Sequence, residues 1–340
     1  MATYKESGVD IDAGNESVKR IKDHVKKTFN SGVVLGVGSF GGAINTERIR
    51  NFKEPVLVAS IDGVGTKLKI AAAMNKWDSV GKDIVNHCAN DILAVGAEPF
   101  YFLDYIATEK LRPEIIEQIV KGMSEACSEL KMPLIGGETA EMPGVYEKGE
   151  HDVVGCITGI VEKGNVLDGS HVKEGNVLIG LHSDGLHTNG FSLARKVLLE
   201  KHKVNDFIDD IKSTVGDALL VPHRSYVNEV KDVMKDFDVM GIAHITGGGL
   251  VENVPRIIPE GLGVEIDKSR INVLPIFKLI QKEGNVPEDD MWRTFNMGIG
   301  MVIIISGDQA DKVLQKLESL ATGASVIGRV VKGKGVKFNG

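Results

Sequence analysis

Short apolar runs that stop on an acid or a glycine set the terms for this chain. Val56–Ile61 is strand-like and ends at Asp62-Gly63-Val64-Gly65, and Leu134-Ile135 stops at Gly136-Gly137-Glu138. Val177–Leu181 runs into the polar loop His182–Gly190, and Gly241–Ile245 runs into Thr246-Gly247-Gly248-Gly249. A strand buried on both faces is apolar without a break, and glycine at its end lets the backbone turn or approach a bound group. Forty glycines in 340 residues exceed the usual ~7%. Clustered beside acids instead of forming linkers, they point to phosphate held by backbone N–H groups.

Helical stretches lie between these runs, at Val18–Lys27, Asp78–Val95, Pro113–Leu130, Gly190–Glu200, Ser225–Phe237 and Gln309–Leu320. Asp78 can cap the second of them, and Gly96 and Pro99 stop it. Further strands are expected at Phe100–Ala107, Val153–Val161, Gly263–Ile266, Met297–Ile305 and Ser325–Val331, while Lys201–Gly216 is charged and loosely patterned. Helices and strands mix without a strict βαβ beat, so the fold class is α+β, mixed α/β, in two domains. The expected division is 1–168 and 169–340, inside the Gly-, Asp- and Lys-rich stretch Gly164–Gly175. Residues 1–50 are expected to include a mobile glycine-rich lid, because Gly32, Gly36, Gly38, Gly41 and Gly42 follow Lys26 and Lys27 too densely for a stable element.

Composition excludes several classes. A formal charge of −7 argues against a nucleic-acid partner. Cys88, Cys127 and Cys156 have no short spacing and read as reduced, buried thiols, not as a zinc site or a disulfide set. No apolar run approaches the ~18 residues of a membrane span, and the first residues lack the apolar core of a signal peptide. A cytoplasmic enzyme with no membrane or nucleic-acid partner is the expectation.

Five segments carry chemistry. In Asp62-Gly63-Val64-Gly65-Thr66-Lys67 a carboxylate can hold magnesium beside a phosphate chain, with Lys67 as a point charge; an ordinary Asp-Gly turn is the alternative. The expected helix places Asp83, His87, Asn90 and Asp91 on one stripe beside an apolar stripe of Val80, Ile84, Cys88, Ile92 and Val95. Either this is a solvated face, or Asp91 joins Asp62 as a metal ligand. Gly137-Glu138-Thr139 delivers a third carboxylate to a strand end, so Asp62, Asp91 and Glu138 form the candidate oxygen-ligand set. The loops with Ser183, Gly185, His187, Asn189 and Gly190, and with His244, Thr246, Gly247, Gly248 and Gly249, each run into a helix N-terminus that can meet an anion. His187 and His244 are acid–base candidates, or structural histidines. Gly36-Val37-Gly38-Ser39-Phe40-Gly41 imitates a dinucleotide fingerprint, but only Val33-Val34-Leu35 precedes it and a poor helix follows. A nicotinamide site is rejected.

With these residues in view the chain resembles the phosphoribosylformylglycinamidine cyclo-ligase (AIR synthetase) family. The resemblance rests on Tyr4–Asn15, Asp62–Lys67, Gly96-Ala97-Glu98-Pro99, Gly136-Gly137-Glu138-Thr139-Ala140-Glu141-Met142-Pro143-Gly144, His244–Gly249 and Arg293-Thr294-Phe295-Asn296-Met297-Gly298, in that order. The Asp62–Lys67 stretch is shared more loosely with selenophosphate synthetase, thiamine monophosphate kinase and the amidotransferase upstream.

The family implies a homodimer whose N-terminal domains pair strands into a β-barrel, with ATP and Mg2+ near Asp62, Asp91 and Glu138 and between the domains. It implies a nucleotide substrate, formylglycinamidine ribonucleotide, converted with ATP to aminoimidazole ribonucleotide, ADP and phosphate. The amide oxygen is a poor leaving group, so phosphorylation to an iminophosphate would precede attack by the amidine nitrogen. On that scheme Lys26, Lys27, Gly36, Gly38, Gly41, Gly42, Gly63, Gly65, Thr66, Lys67, Gly137 and Thr139 hold the ATP phosphates with the three acids, and Lys67, His187 and His244 assist the chemistry. His244 stands where some superfamily relatives have aspartate, and Asp184 and Leu186 replace an expected shorter side chain and proline. A kinase or selenophosphate synthetase on the same scaffold is the alternative, though Gly32–Gly42 lacks the cysteine the latter needs. A non-catalytic nucleotide-binding scaffold is the third, and the retained acids argue against it.

Overall fold

The computed structural model describes residues 7–340, so Tyr4-Lys5-Glu6 of the N-terminal motif lies outside the described residues. The chain divides into two compact units, one of residues up to Ile92 with Ala97–Gly164, the other of Leu93–Gly96 with Asn165–Gly340.

The first unit opens with helix α1 (Ile11–Lys26), which starts earlier than its apolar spacing predicts because Asp10 caps it, accepting from the backbone N–H of Asp12 and Ala13. Its Ile21 and Val25 are buried and it packs on α4, so this part of the expected lid is a docked helix. Two short strands, β1 (Val33–Leu35) and β2 (Ala43–Ile44), pair across the glycine segment. Then come β3 (Pro55–Gly63), α2 (Leu68–Met74), α3 (Asp78–Ala94), β4 (Glu98–Thr108), α4 (Pro113–Glu129), β5 (Leu134–Glu141) and β6 (His151–Glu162). The sheet has the order β3-β6-β4-β5, with β4 and β5 parallel.

Helix α3 lies close to α4 because both lack side chains at the crossing. A Cβ at Gly122 would stand 1.9 Å from the carbonyl oxygen of Asp78, and one at Gly81 2.0 Å from that of Ile119. On β3 the period of two puts Val56, Val58, Ser60 and Asp62 on the sheltered face and leaves Leu57 and Ile61 outward, 59% and 69% exposed. Strand β5 runs through its glycines to Glu141, where the sequence predicts only Leu134-Ile135. Parallel pairing with β4 holds Gly136 and Gly137 extended.

The second unit contains β7 (Val177–His182), α5 (Phe191–Leu199), β8 (Phe207–Ile208), β9 (Ser213–Thr214), α6 (Val215–Leu219), α7 (Val227–Asp236) and β10 (Gly241–His244). It continues with α8 (Gly249–Asn253), β11 (Leu262–Asp267), α9 (Pro275–Gly284), α10 (Glu288–Thr294), β12 (Ile299–Ile305), α11 (Ala310–Ser319), β13 (Ala324–Lys332) and β14 (Gly335–Asn339). Its main sheet has the order β10-β12-β7-β13-β11-β14. Strand β12 is buried at every residue, as its unbroken apolar run requires. Among the described residues no helix is long and apolar enough to cross a membrane.

Candidate functional site

In the first unit, β3 and α3 bring two of the three predicted acids together. Ser60 Oγ donates to Asp91 Oδ2 at 3.2 Å, and His87 Nε2 stands 3.5 Å from Asp62 Oδ2 and 3.7 Å from Asp91 Oδ2. Partial burial, followed by the shared hydrogen bond and the charge of Asp91, pushes the Asp62 carboxyl up to about 7. Two carboxylates held this close resist ionising together, and a divalent cation between them would relieve that repulsion. Hard oxygen donors of this kind fit magnesium.

The stripe on α3 is not a solvated face: Asp83, His87 and Asn90 are all buried. Lys67 also departs from its expected place. Its ammonium is buried completely and lies 2.8 Å from Asp83 Oδ2 and 2.9 Å from Oδ1. Burial lowers its pKa while Asp83 raises it. The charge therefore braces the Asp62–Lys67 turn against α3 and is not presented to phosphate. Neighbouring Gly63, Gly65 and Thr66 are exposed.

Glu138 does not join Asp62 and Asp91 within one chain. Cross-strand register places Asp62, Gly155, Asp104 and Gly137 in one row, and Gly63, Val154, Tyr105 and Glu138 in the next. Adjacent rows face opposite sides of a sheet, and three strand spacings amount to roughly 14 Å. Glu138 instead lines a groove of about 990 Å³ with Gly137, Thr139, Asp104, Tyr101 and the glycine segment 36–44. Gly36, Gly38, Gly41 and Gly42 thus come together with the β5 residues. Lys26 and Lys27 are exposed at the end of α1 and do not line the groove.

Sequence reasoning missed Asp104. Its carboxyl packs against Gly137, where a Cβ would come within 2.2 Å of Oδ1. Burial pushes it up to about 7, although part of the residue still meets solvent. A lone Asp inside the apolar run Phe100–Ala107 was the available signal.

In the second unit the two predicted loops adjoin. Asn296 stitches the first: its Oδ1 accepts from Ser183 Oγ and Gly298 N, and its Nδ2 donates to Gly185 O, each at 2.9 Å. Asn253 stitches the second, donating to the carbonyls of Thr246, Gly247 and Gly249. In a planar trans peptide a carbonyl turned inward turns the following N–H outward, here those of Gly247 and Gly248. The outward N–H groups belong to this loop and not to the end of α8, which has only five residues. Asn189 Oδ1 lies 3.3 Å from where a Cβ on Gly247 would be, joining the loops. Gly190, at φ 79°, caps α5 against the Phe295 ring. His187 and His244 are buried, and between them lies His223, which no motif marked.

Both units match known families. Residues 47–161 match the N-terminal domain of AIR synthase related proteins and 173–340 match the C-terminal domain. The α+β architecture is therefore that of the AIR synthase related class, two matched domains in one chain. A phosphoribosylformylglycinamidine cyclo-ligase of Pseudothermotoga lettingae is 52% identical over 98% of this chain and 98% of its own. The chain belongs to the phosphoribosylformylglycinamidine cyclo-ligase family. A thiamine-monophosphate kinase from Stenotrophomonas maltophilia shares the fold, with a TM-score of 0.70 and 17% identity over 96% of each chain. So does the hydrogenase maturation protein HypE in complex with ATP, with a TM-score of 0.67 and 17% identity over 93% of this chain and 86% of that one. Identities this low concern the fold alone, so the kinase alternative gains nothing from them and the cyclo-ligase reading stands.

Proposed function

We propose that this chain is an ATP-dependent C–N ligase that closes formylglycinamidine ribonucleotide to aminoimidazole ribonucleotide, with release of ADP and phosphate, in cytoplasmic purine biosynthesis. The observation that carries this reading is the 52% identity, end to end, with a cyclo-ligase of that name. ATP, when bound, supplies the phosphoryl group that makes the formyl amide oxygen able to leave. Asp62 and Asp91 would hold its magnesium, while the glycine segment 36–44 would order over the nucleotide and keep water from the activated amide. Gly137, Glu138 and Thr139 line the groove beside that segment and would contact a nucleotide held by the acids of a second copy, since Asp62 of the same chain lies three strand spacings, roughly 14 Å, away.

The second unit would take the substrate. The outward N–H groups of Gly247 and Gly248 suit its ribose phosphate, and Ser183, Gly185, His187, Asn189 and Gly190 form the adjoining wall. His244 would move a proton during ring closure. Lys67 acts by bracing the Asp62 turn. The exposed apolar side chains of β3, an edge strand, support pairing with a second copy to close a barrel.

Synthetic formylglycinamidine ribonucleotide labelled with oxygen-18 in the formyl group tests the reaction. The label is expected in released phosphate beside an aminoimidazole product. A stable phosphorylated product would favour the kinase, and label left in the nucleotide or water would overturn amide activation.

A further inference from the structure

His223 follows Val221-Pro222 in the segment before α7, and solvent reaches none of it. Its Nε2 lies 3.0 Å from Nε2 of His244, and its Nδ1 lies 3.3 Å from Oγ1 of Thr188. Its ring stacks on His187 with centroids 4.1 Å apart and planes inclined by 21°. His187 is itself held firmly. Its backbone is left-handed, at φ 63°, and a Cβ on Gly300 would come within 2.5 Å of its Cε1. Tyr226, whose hydroxyl would meet that same Cβ at 2.0 Å, donates to the carbonyl of His182 at 2.9 Å. The histidine cluster is therefore gripped by packing as well as by hydrogen bonds.

Two imidazole nitrogens at this separation share one proton, since one must donate and the other must offer its lone pair. The Thr188 hydroxyl can do either, so two proton arrangements satisfy the chain. Either His223 donates to His244, which then carries its proton on Nδ1, or His244 donates through Nε2 and His223 donates its Nδ1–H to the Thr188 oxygen. In both, Nε2 of His244 is engaged and its ring orientation is set. Any exchange with another group must pass through Nδ1.

We propose that His223 is a positioning residue that keeps Nε2 of His244 engaged and its ring in one orientation, leaving Nδ1 as the nitrogen that acts. The proposal rests on the cyclo-ligase reading for the word "acts", but its structural half does not. His244 begins the loop that carries Gly247 and Gly248, and Thr188 is followed by Asn189, which adjoins Gly247. A turned His244 ring would thus be felt beside the substrate loop.

The test uses the full-length protein labelled with nitrogen-15 in histidine, and the variants His223→Phe, His223→Gln and His223→Asn. Phenylalanine keeps the stacked ring and loses both hydrogen bonds; the Gln amide reaches the Nε2 position, whereas Asn reaches only the Nδ1 position. Nitrogen shifts should report a hydrogen-bonded Nε2 on His244 in the native protein and in His223→Gln, and the loss of that bond in His223→Phe. Turnover should fall about tenfold or more in His223→Phe, part of the ~10²–10⁴ that acid–base transfer is worth. KM should change little and His223→Gln should restore most of the rate. If His223→Phe does not fold, His223→Gln against His223→Asn decides, with Gln active and Asn impaired. Unchanged His244 shifts in every variant, or equal losses in Gln and Asn, would overturn the proposal. A native protein that fails to cyclise sinks the cyclo-ligase reading instead, while the nitrogen shifts still judge the pair.

Discussion

Lys67 Nζ lies 2.8 Å from Asp83 Oδ2, and neither side chain is exposed at all. A buried pair of this kind adds little stability over an apolar pair, yet breaking it strands a charge, at a cost of about 3–5 kcal/mol. Lys67→Met is therefore expected to lower the melting temperature by roughly 6 °C or more, at ~2–4 °C per kcal/mol for a domain of this size. The double variant Lys67→Met with Asp83→Leu should recover much of the loss. Calorimetry checks both; a single variant that melts like the native protein would return Lys67 to phosphate binding.

Asp62 and Asp91 meet over α3 through Ser60 and His87. Replacing either acid with Asn keeps the shape and removes the charge a cation needs, so turnover should fall by ~10²-fold or more while the circular dichroism spectrum holds. Near-native turnover at saturating magnesium would reduce the pair to a structural turn.

Asp104 predicts a pH effect on stability. Its folded carboxyl titrates near 7, above the ordinary 3.8, so the folded state holds this proton more tightly. The stabilisation is complete below 3.8 and is lost as pH rises through about 7. Asp104→Asn should therefore gain in melting temperature, relative to the native protein, between pH 5 and pH 8 in the absence of nucleotide. A difference that stays constant across that range would show that the carboxyl is not burdened by burial.

The outward face of β3 predicts the assembly. Leu57→Asp with Ile61→Asp should leave each unit folded and convert a dimer to a monomer, read by light scattering on a sizing column. A native protein that is already monomeric, or a variant that stays dimeric, removes the barrel from the proposal.

Much of the local structure was legible along the chain. The strand at Val56–Ile61, the helix from Asp78 and the buried run that became β12 follow from periodicity, capping and unbroken apolar sequence. Helices α2, α6, α9 and α10 were missed, being short and flanked by polar segments that blur their spacing. Strand β5 was cut short because glycine carries a turn signal in sequence, whereas a parallel neighbour can hold it extended.

The sequence by itself determined the family and the two-domain α+β class, and it marked the acids and glycines proposed to hold phosphate and magnesium. Motifs record which groups a site needs, and local periodicity records which elements carry them. Only the tertiary structure decided how those groups are used. Lys67 was turned inward because Asp83, sixteen positions along the chain, buries it. Glu138 was separated from Asp62 by sheet register, which reverses the face of every successive residue. His223 reached His244 across 21 positions, because the fold packs the segment before α7 against the end of β10. Such pairings are long-range and set by packing, which spacing along one chain does not encode.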